Sequence, residues 1–403
     1  MTLSVSGESG YPMWQRLRPS AGCVAGRQCA QKLRLFFVAD AASVHTVRWM
    51  RFFSERGHEV AVASARPPAS DVHVDAYCQL STVAQLPATR ILHNVLELRR
   101  FLRSFRPQVL HAHYINESGW LGALSGFRPF VLTAWGSDVY VAPRRSLLAR
   151  VMSPWAVRRA DYVTADSQDQ IEMLRRMGAA PRASSVVGWG VDIREFSGRS
   201  GKGWRAAHGI RNDQTVILSP RRWVENSNIP VILDAFAFVR RWCSDAVLVL
   251  KDLPGSSADL RQQILSRVQR LGIAGATVRV DEIPEGERPE MYAASDITVS
   301  VCSSDGTPAS VLEAMAGRSA VVAGDLPSLR EWVRDGETGL LVPVGDREML
   351  GEQLLRLVRS RALREGLADA AYEMVESRAD RGRNLTRMER IYHSLVNKIS
   401  ESE

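Results

Sequence analysis

Residues 297–317 read Ile-Thr-Val-Ser-Val-Cys-Ser-Ser-Asp-Gly-Thr-Pro-Ala-Ser-Val-Leu-Glu-Ala-Met-Ala-Gly. The first five residues form a short, nearly continuous apolar run, the pattern of a strand buried on both faces of a parallel sheet. Ser303–Gly306 is a turn, and Pro308–Ala316 is an apolar stretch with helical character. Thr307 suits the N-cap and Pro308 the first helical position. A strand followed at once by a helix start places free backbone N–H groups and the positive end of the helix dipole at the carboxyl edge of the sheet, a natural seat for phosphate. Gly306 would let the backbone approach a ligand closely. Glu313 stands out, because a carboxylate within Ala-Ser-Val-Leu-Glu-Ala-Met-Ala is costly unless it is paired or binds hydroxyls. As a mere complement to the dipole it lies deep in the helix.

The same strand-helix alternation runs in both directions from this segment. From Leu33 onward it comprises Leu33–Ala39, a helix near Val44–Arg56, His58–Ala63, Gln108–Tyr114, Phe130–Ala134, a helix at Ser146–Arg159, and Tyr162–Ala165. Residues 196–209 read as a Gly/Ser/Lys linker. The Gly201-Lys-Gly203 run in it mimics a dinucleotide fingerprint but lacks the preceding strand. The alternation then restarts at Thr215–Ser219 and continues to two closing helices. This predicts two doubly wound α/β domains facing an interdomain cleft. The expected divisions are a flexible extension over 1–32, a first domain over 33–200, a second over 201–380, and a final helix over 381–403 that can return to the first domain.

The chain has 403 residues, 45% of them hydrophobic and 24% charged, as in an ordinary globular protein. No apolar run approaches the roughly 18 residues of a membrane span, and Arg16, Arg18 and Arg27 break up any signal-peptide core. Five cysteines without paired spacing point to neither zinc nor a disulfide framework and fit a reducing cytoplasm. Residues 1–200 carry 25 Lys and Arg against 15 Asp and Glu, so the whole positive excess lies in the first half. A phosphorylated acceptor or an anionic membrane surface would suit it. Genomic base composition is the plainer explanation, since 48 of the 52 basic residues are Arg. Within 98–105, Leu98, Phe101, Leu102 and Phe105 would form one helical stripe flanked by Arg99, Arg100, Arg103 and Arg106, suited either to a membrane or to the sheet. No zinc-finger, RRM or basic-zipper pattern supports nucleic acid. No Asp-x-Asp, Walker lysine, G-x-S-x-G or H-E-x-x-H occurs.

Asp305, seven intervening residues and Glu313 resemble the E-x7-E motif of the retaining family 4 glycosyltransferases, which have the GT-B fold; Asp here replaces the first Glu. Further segments are similar to that family in order and spacing: His45-Thr-Val-Arg-Trp49, the H-x-H strand end His111-Ala-His113, Trp135-Gly-Ser-Asp138, Gly188-Trp-Gly190 and Gly336–Pro343. The resemblance implies a hexosyl transfer from a nucleoside-diphosphate sugar to an acceptor hydroxyl on a glycan, glycolipid or small molecule, in bacterial polysaccharide, glycolipid or glycoconjugate synthesis, without metal or other cofactor. It implies that Asp305 holds donor-sugar hydroxyls and Glu313 the ribose. Gly306, Thr307, Pro308 and Ala309 would line the donor, and His113 would lie beside the sugar. His45, His111 and Asp138 would be on the acceptor side, with His111 more a support than a contact. For the diphosphate the resemblance places Arg222 at the family's Arg and Ser227 where its Lys belongs. Arg221 and Lys251 are then the basic residues able to supplement Arg222. Glu282, Glu285 and Glu287 read as a solvated turn. Two rival expectations are a nucleotide-sugar epimerase on the same fold and an inactive partner subunit. The protein would work in the cytoplasm or peripherally on the inner membrane face.

Overall fold

The computed structural model describes residues 31–82, 87–179, 181–252, 256–281 and 283–401. The extension expected over 1–32 therefore lies, except for its last two residues, outside the described residues. Among the described residues, thirteen parallel strands form two sheets. The first contains β1 (Arg34–Val38), β2 (Glu59–Ser64), β3 (Ala76–Gln79), β4 (Val109–His113), β5 (Phe130–Ala134), β6 (Tyr162–Ala165) and β7 (Ser184–Val186) in the order 3-2-1-4-5-6-7. The second contains β8 (Thr215–Ser219), β9 (Ala246–Lys251), β10 (Thr277–Val280), β11 (Ile297–Ser300), β12 (Ala320–Gly324) and β13 (Leu340–Val342) in the order 10-9-8-11-12-13. Strand order reverses between β1 and β4 and again between β8 and β11. Both crevices open at the carboxyl edges, where doubly wound sheets bind ligands.

The apolar runs form strands because helices cover both faces of each sheet. On one face of the first sheet, Phe36 and Val38 pack with Leu98, Leu102 and Leu110. On the other, Leu35 and Phe37 pack with Met50 and Phe53. The stripe on helix Pro87–Phe105 belongs to the first of these layers: Leu98, Leu102 and Phe105 are buried, and Phe101 packs against them. That helix therefore does not present the stripe to a membrane; burial against the sheet has taken the apolar face.

The expected linker over 196–209 is also corrected. Lys202–Ala207 is a helix whose Trp204 is buried in the second domain's core, beside Ile210 and Val216. The closing helix Arg381–Ser400 packs on the first sheet, with Leu385, Met388 and Tyr392 buried among β1 and β2 side chains. Glu389 secures it, accepting from Arg56 Nε at 2.9 Å and lying 2.8 Å from His58 Nε2. A strand (β3) that the alternation did not reveal closes one edge of the first sheet. Its short, partly exposed sequence Ala-Tyr-Cys-Gln has no apolar run.

Candidate active site

The segment after β11 stands at the switch point of the second sheet, and its loop is anchored by the turn after β8. Asn226 donates through Nδ2 to the Ser304 carbonyl at 2.8 Å and accepts from Ser304 N at 3.0 Å; Asn228 Nδ2 donates to the Val301 carbonyl at 2.8 Å. Helix Ala309–Ala316 begins one residue later than Thr307 and Pro308 suggest, with Pro308 at the cap and no side-chain cap bond. Thr307 is engaged elsewhere. Its hydroxyl donates to the Asp166 carbonyl in the first domain at 2.9 Å and accepts from Trp332 Nε1 at 3.0 Å. Gly306 also lies against the first domain, where a Cβ would displace the Gln170 side-chain amide, a contact the sequence does not show. Facing it, Gly136 has φ +110° and lies against the Gly306 backbone, so the two loops meet as bare main chain.

Asp305 and Glu313 project from opposite ends of this segment, and each meets arginine. Arg221 Nη2 lies 2.6 Å from Asp305 Oδ2, a close charge contact without the alignment of a hydrogen bond. Asp305 Oδ1 accepts from Gly306 N at 2.9 Å. Arg222, adjacent in sequence, is exposed. Glu313 is 6% exposed and accepts from Arg288 Nη1 at 3.1 Å, which accounts for a carboxylate in an apolar helix. Arg48 of the first domain approaches Glu313 to 4.0 Å and donates through Nε to Glu285 at 2.7 Å.

Glu285 lies in an exposed turn, as expected, yet its carboxylate also pairs with Arg48 and Arg288. Burial alone would raise its carboxyl, but Arg48 and Arg288 outweigh that and hold it below the usual value. Glu287 is exposed, and Glu282 lies outside the described residues. Lys251 ends β9 at the same carboxyl edge and is buried. Ser227, where the resemblance expects lysine, is also buried.

Across the cleft, β4 ends in the two histidines, which share a strand face but differ in role. His111 is bonded at both ring nitrogens, Nδ1 to Tyr392 Oη at 2.5 Å and Nε2 to Thr133 Oγ1 at 2.6 Å. It ties the closing helix to the sheet and has neither ring nitrogen free, which fits a supporting residue. His113 is fully buried, with both ring nitrogens unpartnered, between Trp49 and Trp135. Burial, reinforced by His45, lowers its pKa to about 3, so the ring is neutral at physiological pH. His45 packs edge-on to Trp135 and tilted over Trp189, and burial together with Arg48 and Arg288 lowers its pKa to about 3.

Asp138 is at the expected loop but has another task. Its carboxylate accepts from Ile115 N at 2.8 Å and Trp135 N at 3.0 Å, fixing the two loops that follow β4 and β5.

Sequence reading missed Asp166, which directly follows β6. It is 2% exposed, its Oδ2 has no partner, and its carbonyl receives Thr307. Burial raises its pKa well above the carboxylate range; Trp189 opposes this by hydrogen bonding, and the charges of Asp138 and Asp305 add to it. Glu331 was missed as well. From the second domain it accepts from Gln168 N and Asp169 N, both at 3.0 Å, and so caps a first-domain helix. Among the described residues, no cluster of three His, Cys, Asp or Glu side chains forms a metal-ligating group.

This arrangement, two switch points closed on one another with an acid pair on the second, agrees with the comparisons. Residues 34–167 match the family model described as glycosyl transferase 4-like, and residues 202–374 the model for glycosyl transferases group 1. The chain belongs to glycosyltransferase family 4.

The transferase is 25% identical to a phosphatidyl-myo-inositol mannosyltransferase of Mycobacterium leprae over 91% of its own length and 96% of that protein. It is 26% identical to the putative teichuronic acid biosynthesis glycosyltransferase TuaC of Bacillus subtilis, covering 77% and 76% of the two chains. Among solved structures, sucrose-phosphate synthase from Thermosynechococcus elongatus superposes with a TM-score of 0.78 at 18% identity, over 91% of this chain and all of that one. Anabaena HepE in complex with UDP-glucose gives 0.77 at 17%, over 90% and 100%. The GT-B fold is therefore shared, and these relatives favour sugar transfer over the epimerase expectation.

Proposed function

We propose that this transferase moves a hexosyl group from a nucleoside-diphosphate sugar to an acceptor hydroxyl with retention of anomeric configuration and without a metal ion. The observation that carries the reading is the segment Asp305–Glu313 at the second switch point, with Arg221 on the first acid, Arg288 on the second, and unpartnered His113 in the facing domain. In this reading Glu313 accepts from the ribose hydroxyls and Asp305 from those of the transferred sugar. Arg221, Arg222, Lys251 and the backbone N–H groups of 306, 307 and 309 face the diphosphate. Neutral His113 lies on the sugar side.

The bond between the anomeric carbon and the diphosphate oxygen breaks, the acceptor oxygen attacks from the same face, and its proton passes to the departing phosphate. The protein contributes orientation and fixed positive charge. Guanidinium and helix amides supply the charge that a metal would otherwise provide, so turnover should persist in chelator. The relatives' names direct the acceptor towards glycolipid or cell-surface polysaccharide. The HepE complex makes a UDP-sugar the first donor to test.

No helix among the described residues is long and apolar enough to cross a membrane. We place the enzyme in the cytoplasm, with peripheral access to the inner membrane face. A thermal-shift panel of nucleotide-sugars identifies the donor, since a ligand of the folded state raises its apparent stability. NMR of the first product anomer then tests retention: an inverted centre, or a reaction that stops in chelator and resumes with magnesium or manganese, overturns the mechanism.

A further inference from the structure

Helix Leu147–Arg159 starts at Ser146, whose hydroxyl accepts from Ala149 N at 3.2 Å. Its inner face is built from small residues. Ala149, Ser153 and Ala156 are buried, and Ser153 Oγ receives Trp120 Nε1 from the neighbouring helix at 3.3 Å. The outer face of an ordinary surface helix would be polar. Here it opens with Leu147 at 81% exposure, Leu148 at 45% and Val151 at 69%; Leu147 and Val151 are the two most exposed large apolar side chains among the described residues. Leu147 and Val151 are one turn apart and so share a face. Arg144, Arg145 and Arg150 are exposed around them, and none has a carboxylate partner among the described residues. From 139 to 160 the chain holds five arginines and no acid.

The connections place this corner. The segment follows β5 through the Trp135–Asp138 loop, which abuts Gly306, and the helix returns to the amino edge to enter β6. Its first turn therefore stands at the carboxyl edge, on the first domain's lip of the cleft.

We infer that the corner formed by residues 144–151 is a docking surface for an anionic lipid bilayer. Leu147, Leu148 and Val151 enter the headgroup boundary and Arg144, Arg145 and Arg150 meet lipid phosphates. An amphipathic helix end with this composition lies in the interface by combining apolar burial with attraction to anionic headgroups. A protein partner would have to bring acids to match three unpaired arginines around an apolar centre; an anionic bilayer presents both features everywhere. The surface would bring a lipid-borne acceptor hydroxyl to the cleft mouth, a consequence that rests on the transferase reading; the docking itself does not.

The test is flotation of the full chain with vesicles of phosphatidylcholine alone or mixed with phosphatidylglycerol. The wild type floats with the mixed vesicles, less at raised salt, and stays behind with the neutral ones. Arg144→Ser/Arg145→Ser lowers partitioning about five-fold per charge removed. Leu147→Ser/Val151→Ser lowers it about ten-fold per side chain. Both variants melt with the wild type and keep its nucleotide-induced thermal shift, because the substituted side chains are exposed and lie outside the donor site. A wild type that does not float, or variants that float equally, overturns the proposal. A dimer that is lost in Leu147→Ser/Val151→Ser while flotation persists also overturns it and assigns the corner to a second copy. Flotation requires no substrate, so loss of the thermal shift alone tells against the donor reading and leaves the docking surface standing.

Discussion

Asp305→Asn separates the structural role of the ion pair from its role in the reaction. The substitution keeps the side chain's shape and removes one charge facing Arg221. The two side chains are 22% and 18% exposed and approach to 2.6 Å. Unit charges about 4 Å apart attract by about 4 kcal/mol at an effective dielectric near 20. Partial solvent screening reduces this, and we expect the second domain to lose about 2 kcal/mol, well short of the cost of breaking a fully buried pair. Arg221 retains Ser310 Oγ at 3.2 Å, so it stays in place.

With the carboxylate gone, Arg221 is free for a diphosphate, and affinity for the sugar-free nucleoside diphosphate should hold or rise. Turnover should fall about ten- to a hundred-fold, the loss of one charged hydrogen bond to the transferred sugar. Scanning calorimetry gives the first quantity, titration calorimetry the second, and initial rates the third. Nucleotide affinity that falls in parallel with turnover would refute the reasoning, because it would place Asp305 on the nucleotide and not on the sugar.

Glu313→Gln should weaken nucleoside-diphosphate binding by about 1–3 kcal/mol; unchanged affinity in a folded variant removes Glu313 from the site. Burial makes Asp166 hold its proton more tightly in the folded protein than in the unfolded chain, which ionises it near its ordinary value of about 4. Stability therefore falls as pH rises above that value, and Asp166→Asn should melt higher than wild type by a margin that grows as pH rises from about 4 towards the raised value. A margin independent of pH would show that the carboxyl is ionised. Glu389 is shifted the other way: burial would raise it, but Arg56 and His58 hold it below the usual value. Its stabilisation is present above the ordinary carboxylate value and lost as pH falls through the lowered one. Glu389→Gln should cost about 1–3 kcal/mol at neutral pH and flatten the acid limb of the stability curve; limited proteolysis of the closing helix reports the release.

Local pattern made the architecture readable. Apolar runs such as Phe130–Ala134, regularly interrupted by helical stretches, require sheets covered on both faces, and a carboxylate at position 313 of an apolar helix requires a partner. The order of motifs from His45 to Pro343 was enough to indicate the family and the cleft. The sequence did not show which neighbour serves which group. Arg221 and Arg222 are equivalent as text, yet one lies against Asp305 and the other is exposed. His111 and His113 share a strand face, yet one is bonded to a tyrosine 281 residues away and the other is unpartnered. Asp166 carries no motif at all.

Strand and helix content and the two α/β alternations followed from the sequence itself, because they depend on periodicity along a few turns of chain; the acid pair was legible through the resemblance its motif carries. Only the tertiary structure decided that the Thr307 hydroxyl donates a hydrogen bond to the Asp166 carbonyl, 141 residues away, and that Arg48 reaches Glu285 over a separation of 237. It likewise decided that the stripe on Pro87–Phe105 is buried while Leu147 and Val151 are left outside. An amphipathic pattern records that a face is apolar. What covers that face, and which charge answers which, is set by how separately folded layers come to rest against one another.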